Sequence, residues 1–207
     1  MTEEWKKRWD DRYQEKAYAY GVEPNDFFKH QIKQLQEGQI LFGAEGEGRN
    51  AVYAAQLGWK VEAFDISTEG QKKALHLAKE NNVSIDYHVG FLPELDFTDE
   101  QFDAIALIYA HFPPPVRSEY HQILNQKLKS GGTIIFEAFS KKHLEYRERN
   151  PKVGGPANIE GLFSLEDIKR DFPDYDIELL EETEVELNEG LYHNGTGSVI
   201  RFVGRKR

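Results

Sequence analysis

The sequence predicts an α/β protein in which a parallel sheet is covered by helices on both faces. Between residues 39 and 139, short apolar runs alternate with segments that have helical spacing. Strands that succeed one another through helices need crossover connections, and such connections produce parallel strands. The runs are apolar almost without interruption, which is typical of strands buried on both faces.

Each element of this alternation has its own signal. Strands are expected at residues 39–43, 60–66, 84–89, 102–110 and 133–139, and helices at residues 49–57, 68–81, 114–129 and 141–150. Gly58 is expected to close the first of these helices, and the pair Gly131-Gly132 to stop the third. Ser164 and Asp167 have the spacing of a capping box and predict the start of a short helix. Residues 177–187 and 198–205 are predicted to be two long strands that pair as an antiparallel hairpin, joined through residues 188–197.

Two segments outside the alternation are candidates to cover a ligand. Residues 1–36 are expected to be helical, and Trp5, Trp9 and Tyr13 recur every four residues, which puts them on one helix face. This aromatic stripe either closes over a ligand or packs the helix on the core. Residues 151–161, PKVGGPANIEG, predict a Gly/Pro-rich loop that is long enough to be a lid.

The composition narrows the classes of function. The net charge is −10, from 26 basic and 36 acidic residues, and no block of the sequence is basic, so a nucleic-acid partner is not expected. No apolar run approaches the ~18 residues of a membrane span, and the charged N-terminus does not resemble a signal peptide. We therefore expect a cytoplasmic protein without a membrane partner. The chain has no cysteine, and none of its seven histidines stands four residues from another, so no metal site is expected.

The strongest chemical signal is the glycine loop at residues 44–51, between the first strand and the following helix. Gly46 and Gly48 allow the backbone to turn tightly and to approach a ligand. Asp65 ends the next strand, 17 residues beyond Gly48, where a carboxylate can accept both hydroxyl protons of a ribose. Together these residues predict a cofactor containing adenosine at the carboxyl ends of the strands.

Two classes of adenosine cofactor fit this loop. Gly46-x-Gly48-x-x-Ala51 satisfies the dinucleotide pattern G-x-G-x-x-G/A. However, Glu45 and Glu47 flank the glycines where a pyrophosphate would lie, and each like-charge pair at ~8 Å costs roughly 2 kcal/mol at an effective dielectric constant of ~20. A cationic sulfonium meets no such repulsion, so S-adenosylmethionine is favoured. A nicotinamide-dependent oxidoreductase, a cofactor-binding protein without catalysis and a glycine turn that binds nothing stay as alternatives.

Several motifs along the chain have the spacing of one enzyme family. They are Trp5-x-x-x-Trp9-Asp10-x-Arg12-Tyr13, Tyr20-Gly21-x-Glu23-Pro24-Asn25, Ala44-Glu45-Gly46-Glu47-Gly48-Arg49-Asn50-Ala51, Phe64-Asp65-Ile66-Ser67, His111-Phe112-Pro113, Gly154-Gly155-Pro156 and Glu189-Gly190-x-x-His193-x-Gly195. Through them the chain resembles the class I S-adenosylmethionine-dependent methyltransferases, and within these the tellurite-resistance and thiopurine methyltransferase-like group. The resemblance implies a Rossmann-like fold whose seven-stranded, mostly parallel sheet ends in an antiparallel hairpin.

The resemblance also divides one methyltransferase domain, residues 1–207, into three parts. Residues 1–36 would form an N-terminal helical lid, residues 37–140 the cofactor-binding core, and residues 141–207 the substrate-side helices and the hairpin. It implies S-adenosylmethionine as cofactor and a small-molecule methyl acceptor with a sulfur, selenium or tellurium nucleophile. The implied cofactor contacts are Trp9, Tyr20, Gly43, Glu45, Gly46, Gly48, Arg49, Asp65, Ile66, Phe91, Leu92 and Tyr109. At Phe42 and Phe91 many members of the family carry an acidic residue instead.

The catalytic demands of methyl transfer are modest. The donor is already activated, so orientation and exclusion of water supply much of the catalysis, and a soft nucleophile needs little or no protein base. His111, just beyond the fourth strand, is the candidate base, and its alternative role is a contact with a nearby backbone carbonyl. His193 is expected to be a turn histidine bonded to backbone.

Several arginines are candidates to bind an anion. Arg12, Arg49 and Arg117 are expected to hold the cofactor carboxylate or an anionic substrate, or else to form surface ion pairs. Arg147 and Arg149 lie in a charged helix and are expected to be solvated.

Overall fold

A computed structural model describes residues 3–207 of the chain. Its seven strands are β1 (Gln39–Gly43), β2 (Lys60–Asp65), β3 (Asp86–Val89), β4 (Phe102–Ile108), β5 (Leu128–Phe139), β6 (Tyr175–Glu189) and β7 (His193–Lys206). They form one sheet in the order β3-β2-β1-β4-β5-β7-β6. Strands β1 to β5 are parallel, and β7 runs antiparallel between β5 and β6. The predicted sheet with its antiparallel terminal hairpin is confirmed.

Seven α-helices connect or precede these strands in the described part of the chain. They are α1 (Glu3–Tyr13), α2 (Asp26–Ile32), α3 (Arg49–Gln56), α4 (Thr68–Glu80), α5 (Pro114–Lys127), α6 (His143–Arg149) and α7 (Leu165–Asp171). Short 3₁₀ turns lie at Leu92–Glu94, Pro151–Val153 and Ile159–Gly161. Residues 1 and 2, which the predicted N-terminal segment included, lie outside the described residues.

The core has two layers because successive side chains of a strand point to opposite faces of the sheet. In β1, Ile40 and Phe42 belong to one apolar cluster and Leu41 to the other. Helices α2, α3 and α4 cover the first face, where Phe28 is fully buried. Helices α5 and α7 cover the second face, where Leu124 is fully buried. This arrangement confirms the prediction of helices on both faces.

Helix starts follow the capping signals of the sequence. Asn25 caps α2 by accepting the backbone N–H of Phe28 at 2.9 Å. Ser164 and Asp167 form the predicted capping box of α7. These signals act within one turn of the chain, which explains why the sequence predicts them well.

The largest differences from the predicted boundaries lie at the start of β5 and at the start of β7. Helix α5 ends at Lys127, and Gly131-Gly132 lies inside β5, where the register against β4 shifts between Phe102 and Ala104. The hairpin strands are longer than predicted, so residues 194–197 lie in β7 and the turn consists of residues 190–192. A Cβ on Gly197 would lie 3.1 Å from the His143 ring. Gly197 thus allows α6 to pack on β7, although the sequence pattern predicts a turn at this residue.

Among residues 3–207, no helix combines the length and the apolar character that crossing a membrane requires.

Candidate active site

A cavity of about 440 Å³ opens at the carboxyl ends of the parallel strands. This volume lies within the range of small-molecule sites. Its wall comes from helix α1, the loop between β1 and α3, the ends of β2 and β4, the loop at residues 154–161 and the hairpin turn. Of the residues expected to contact the cofactor or the acceptor, those that line it are Trp9, Tyr20, Glu45, Arg49, Asp65, Ile66, Leu92, Tyr109 and His111.

Glu45 caps helix α3 from the glycine loop. Gly48, the residue before α3, has a φ of 87° and no side chain with which to cap the helix. Instead, the backbone N–H groups of Asn50 and Ala51 donate to Glu45 Oε1 at 2.9 and 2.8 Å. Burial nevertheless raises the pKa of Glu45 to about 7. The carboxyl group is therefore poised between its two protonation states at neutral pH.

Glu47 points away from the helix amides and is neutralised by a lysine. It is 5% exposed, accepts the backbone N–H of Ala19 at 2.7 Å and pairs with Lys73 Nζ. The helix amides and Lys73 thus compensate both glutamates of the loop. The repulsion of a pyrophosphate is therefore weaker than the pairwise figure of roughly 2 kcal/mol, which applies to two fully charged carboxylates.

Asp65 ties the loop to the end of β2. The backbone N–H of Gly46 donates to Asp65 Oδ2 at 3.0 Å, and that of Ser67 donates to Oδ1 at 2.9 Å. Burial raises the pKa of Asp65 to about 6. An ionised carboxylate offers about four acceptor sites, so two stay open on a residue that lines the cavity. Together with the adjoining apolar side chains of Ile66 and Leu92, these residues fit an adenosine.

Four residues of the predicted contact set do not line the cavity. Three of them are glycines with no room for a side chain. A Cβ added to Gly43 would lie 2.8 Å from Leu107, one added to Gly46 would lie 2.6 Å from the Tyr13 hydroxyl, and one added to Gly48 would lie 2.6 Å from Ala74. These glycines permit close packing behind the cavity wall, and they shape the loop. Phe91, the fourth residue, is half-buried next to Leu92, and only Leu92 reaches the cavity.

Helix α1 both packs on the core and covers the cavity. Asp10 Oδ1 accepts the Ser67 hydroxyl at 2.6 Å and the Glu69 backbone N–H at 3.2 Å, which anchors α1 at the start of α4. Trp9 stacks on the buried Tyr13 with ring centroids 5.5 Å apart, and Trp9 also lines the cavity. The aromatic stripe therefore packs on the core and lines the cavity, and its closure over a ligand stays a prediction.

His111 has a backbone partner on each ring nitrogen. Its Nε2 accepts the Phe139 N–H at 3.3 Å, so Nδ1 carries the proton and donates to the Gly161 carbonyl at 2.9 Å. Burial lowers the pKa of His111 to about 3. A general base needs a free lone pair, and this histidine has none. The geometry favours the structural alternative over the catalytic role expected for His111.

The loop at residues 154–161 is held at both ends. His111 bonds to Gly161, and His143 Nε2 lies 3.2 Å from the Gly154 carbonyl. Arg147 Nε donates to the Gly155 carbonyl at 3.2 Å, so Arg147 lines the cavity and is not simply solvated as expected. These anchors favour a fixed wall of the cavity over a mobile lid.

Sequence reasoning missed the histidine with a carboxylate partner. His193 is 4% exposed, and its Nδ1 lies 2.8 Å from Glu189 Oε2. Glu189 in turn pairs with Arg49 at 3.1 Å and accepts Asn25 Nδ2 at 3.2 Å. Burial raises the pKa of Glu189, but the His193 hydrogen bond and the Arg49 charge outweigh it and hold the pKa at about 2.

The hydrogen bond between His193 and Glu189 uses one ring nitrogen of His193 and leaves the other available. Burial lowers the pKa of His193, so the ring is neutral at pH 7, with Nδ1–H donating to Glu189. Its Nε2 has no hydrogen-bond partner in the described part of the chain, and the residue lines the cavity. Glu189 and His193 face each other as the last pair of the β6–β7 ladder. The short turn of residues 190–192 places Glu189 and His193 opposite each other, and this spacing in the sequence could have revealed their contact.

Tyr109 completes the wall between the two ends of the cavity. It follows β4 with a φ of 54°, a conformation that costs a non-glycine residue energy and that clusters at functional sites. Its ring centroid lies 4.8 Å from that of His193. Burial raises the pKa of Tyr109 well above its ordinary value, so the hydroxyl stays protonated.

Comparison with known proteins agrees with this geometry. Residues 40–132, from β1 into β5, match the family described as a methyltransferase domain. This match and the fold together support the predicted class I S-adenosylmethionine-dependent methyltransferase. The glycine loop, Asp65 and Tyr109 lie within the matched segment, and the match favours S-adenosylmethionine over a dinucleotide as the cofactor. No curated protein sequence matches the chain.

Solved structures resemble this chain over almost its whole length. A protein from a study of the conversion of a disulfide bond into a thioacetal group during echinomycin biosynthesis has a TM-score of 0.79 and 17% identity, over 98% of this chain and 92% of that one. An S-adenosylmethionine-dependent methyltransferase from Anabaena variabilis has a TM-score of 0.70 and 17% identity, over 98% and 93%. TehB from Haemophilus influenzae has a TM-score of 0.69 and 16% identity, over 98% and 67%. At these identities the likeness shows the fold alone.

Proposed function

We propose that the enzyme methylates a small molecule at a sulfur, selenium or tellurium atom, with His193 as the group that accepts the acceptor's proton. One observation carries this proposal: a single cavity is lined both by Asp65 with the glycine loop and by the Glu189-supported His193. The first set fits the methyl donor, and the second faces the space that is left for an acceptor.

At the donor end, the chain contributes binding and orientation. Asp65 has acceptor sites open for the ribose hydroxyls, and Ile66 and Leu92 offer apolar surface to the adenine. Trp9 on α1 covers the cavity and keeps water from it. S-adenosylmethionine bound here supplies an activated methyl group for an in-line displacement, whose rate depends on orientation and water exclusion.

At the acceptor end, His193 handles the proton. Its Nε2 lone pair takes the proton of a thiol or selenol, and the resulting anion forms a bond to the methyl carbon as the bond from that carbon to the sulfonium sulfur breaks. Glu189 holds Nδ1–H and stabilises the imidazolium that forms, before solvent removes the proton. Glu189 is therefore a positioning residue for His193.

Two lines of support favour a soft nucleophile. TehB is a tellurite-resistance protein, and the echinomycin study concerns sulfur chemistry, although both are distant relatives by sequence. The cavity wall also carries the aromatic rings of Trp5, Trp9 and Tyr192. Sulfur makes favourable contacts with aromatic rings.

Binding and turnover test the proposal separately. Isothermal titration should show S-adenosylhomocysteine binding and no NADH binding, and Asp65→Asn should weaken the former at least ~10-fold by removing a charged acceptor. Asp86→Asn, at the exposed start of β3, is the matched control. Turnover is then measured with small thiols, selenite and tellurite. Binding of S-adenosylhomocysteine together with transfer only to oxygen or nitrogen acceptors would refute the choice of nucleophile.

A further inference from the structure

We propose that the methyl acceptor is anionic and that Arg12 and Arg147 hold its negative group beside His193. This inference rests on the proposed function, because it concerns the acceptor end of the same cavity. The group it would take is a carboxylate or an oxyanion, which a guanidinium binds through two parallel hydrogen bonds.

The lining of the cavity is more basic than the rest of this acidic protein. The chain has a net charge of −10, yet the lining carries four arginines, Arg8, Arg12, Arg49 and Arg147, against three carboxylates, Glu45, Glu47 and Asp65. Arg49 is paired with Glu189. Within residues 3–207, the other three have no carboxylate partner, whereas Arg149, on the same helix as Arg147, pairs with Glu145. Positive charge without a partner in a concave site favours an anionic ligand.

The Arg12 guanidinium is fixed against the Tyr192 ring, and most of its N–H donors have no acceptor in the described residues. Its guanidinium carbon lies 3.8 Å from the centre of the Tyr192 ring, a cation–π contact, and NH1 is 3.4 Å from the Tyr20 hydroxyl. A guanidinium has five N–H donors. The stacking fixes the plane of the group, and no other acceptor in the described residues occupies its remaining donors.

Arg147 is oriented by a hydrogen bond to the backbone. Its Nε donates to the Gly155 carbonyl at 3.2 Å, which leaves both terminal nitrogens without an acceptor among residues 3–207. Arg147 lines the cavity next to Gly154, the glycine that adjoins the His193 ring.

Gly154 links the two arginines to His193. A Cβ on Gly154 would lie 2.8 Å from His193 Cδ2 and 3.4 Å from Nε2, so a side chain there would crowd the ring edge that carries this nitrogen. Such a Cβ would also contact the Tyr192 carbonyl, and Tyr192 is the ring on which Arg12 stacks. Arg12, Tyr192, His193 and the loop carried by Arg147 therefore border one region. An anion bound there places a neighbouring nucleophile near Nε2.

The cofactor's own carboxylate is the competing anion for these arginines. The glycine loop offers that carboxylate an arginine of its own, Arg49 at the start of α3, which also lines the cavity. The competing assignment predicts that removing Arg147 weakens the binding of S-adenosylhomocysteine. Our assignment predicts that it does not.

The test compares two thiols of equal length on protein saturated with S-adenosylhomocysteine. By isothermal titration, 3-mercaptopropionate should bind roughly 10-fold or more tightly than 3-mercaptopropan-1-ol. Arg147→Gln and Arg12→Gln should each abolish most of this preference, whereas Arg149→Gln, on the same helix, should leave it unchanged. The affinity of Arg147→Gln for S-adenosylhomocysteine should equal that of the unaltered protein.

Each other outcome overturns the inference. Equal binding of the two thiols, or binding of neither, shows that no anion subsite exists. A preference that survives both arginine substitutions, or weaker cofactor binding in Arg147→Gln, removes the assignment to these residues. Failure of the proposed function is recognised separately, because then S-adenosylhomocysteine itself does not bind to the unaltered protein.

Discussion

The hydrogen bonds of His111 indicate a structural role, and the substitution His111→Ala tests that role against a catalytic one. The substitution removes the hydrogen bonds to Gly161 and Phe139, each worth about 1 kcal/mol, and leaves a buried N–H and a carbonyl without partners at a further cost of about 1–3 kcal/mol. It also removes packing against Phe163, whose ring centroid lies 5.5 Å away. We expect a loss of about 3–5 kcal/mol in the free energy of unfolding, measured by urea denaturation at pH 7.5.

The pH dependence of stability gives the same test an independent readout. Burial lowers the pKa of His111 from 6.5 to about 3, so the unfolded chain takes up a proton below pH 6.5 that the native protein does not. The stabilisation is fully present above pH 6.5 and is lost as the pH falls toward 3. Between pH 6 and 4, the stability of the unaltered protein should therefore fall about 1.4 kcal/mol per pH unit more steeply than that of His111→Asn.

The comparison with His111→Asn cancels the titration of the other groups, including Asp65 and Glu45, whose raised pKa values act in the opposite direction. The reasoning is refuted if His111→Ala loses less than about 0.5 kcal/mol while its turnover falls by two orders of magnitude or more at unchanged cofactor affinity. That result would make His111 the proton acceptor.

Further predictions concern the acceptor site and the glycine loop. His193→Gln should lower kcat by roughly 10²–10⁴-fold at unchanged S-adenosylhomocysteine affinity. Glu189→Gln should move the acidic limb of the kcat–pH profile to lower pH, because the His193 imidazolium loses its counter-charge. Gly154→Ala should lower kcat at least ~10-fold, since its φ of 72° strains alanine and its Cβ crowds His193. Lys73→Met should cost about 3–5 kcal/mol of stability by leaving the buried Glu47 unpaired.

Each of these predictions has a result that would contradict it, and two have a matched control variant. For His193 the control is His76→Gln on the exposed face of α4, and unchanged kcat with an ionisable thiol would exclude the base role. An unshifted pH profile in Glu189→Gln would show that the pair is structural only. Full activity of Gly154→Ala would show that the acceptor does not occupy the space in front of Nε2. Stability of Lys73→Met equal to that of Lys72→Met, whose partner Glu69 is far more exposed, would show that the Glu47 pair contributes nothing.

Local patterns in the sequence predict much of the fold. Strand β1 occupies residues 39–43 as expected, and α4 begins at Thr68 as expected. Asp65 and the glycine loop also reach the cavity region that their spacing indicates. These successes share a cause: alternation, caps and turns depend on residues within a few positions of one another, so the signal is complete within a short window.

Sequence alone is sufficient for the order of the elements, the two-sided core and the edge of the sheet that carries the cavity. Which histidine is free depends on the folded chain. His111 is hydrogen-bonded to Phe139 and Gly161, which are 28 and 50 positions away in the sequence. His193 donates Nδ1–H to Glu189 across the hairpin turn, and its Nε2 stays open. The chemistry of a buried side chain depends on the partners around it, and for His111 these come from segments whose meeting no local pattern records.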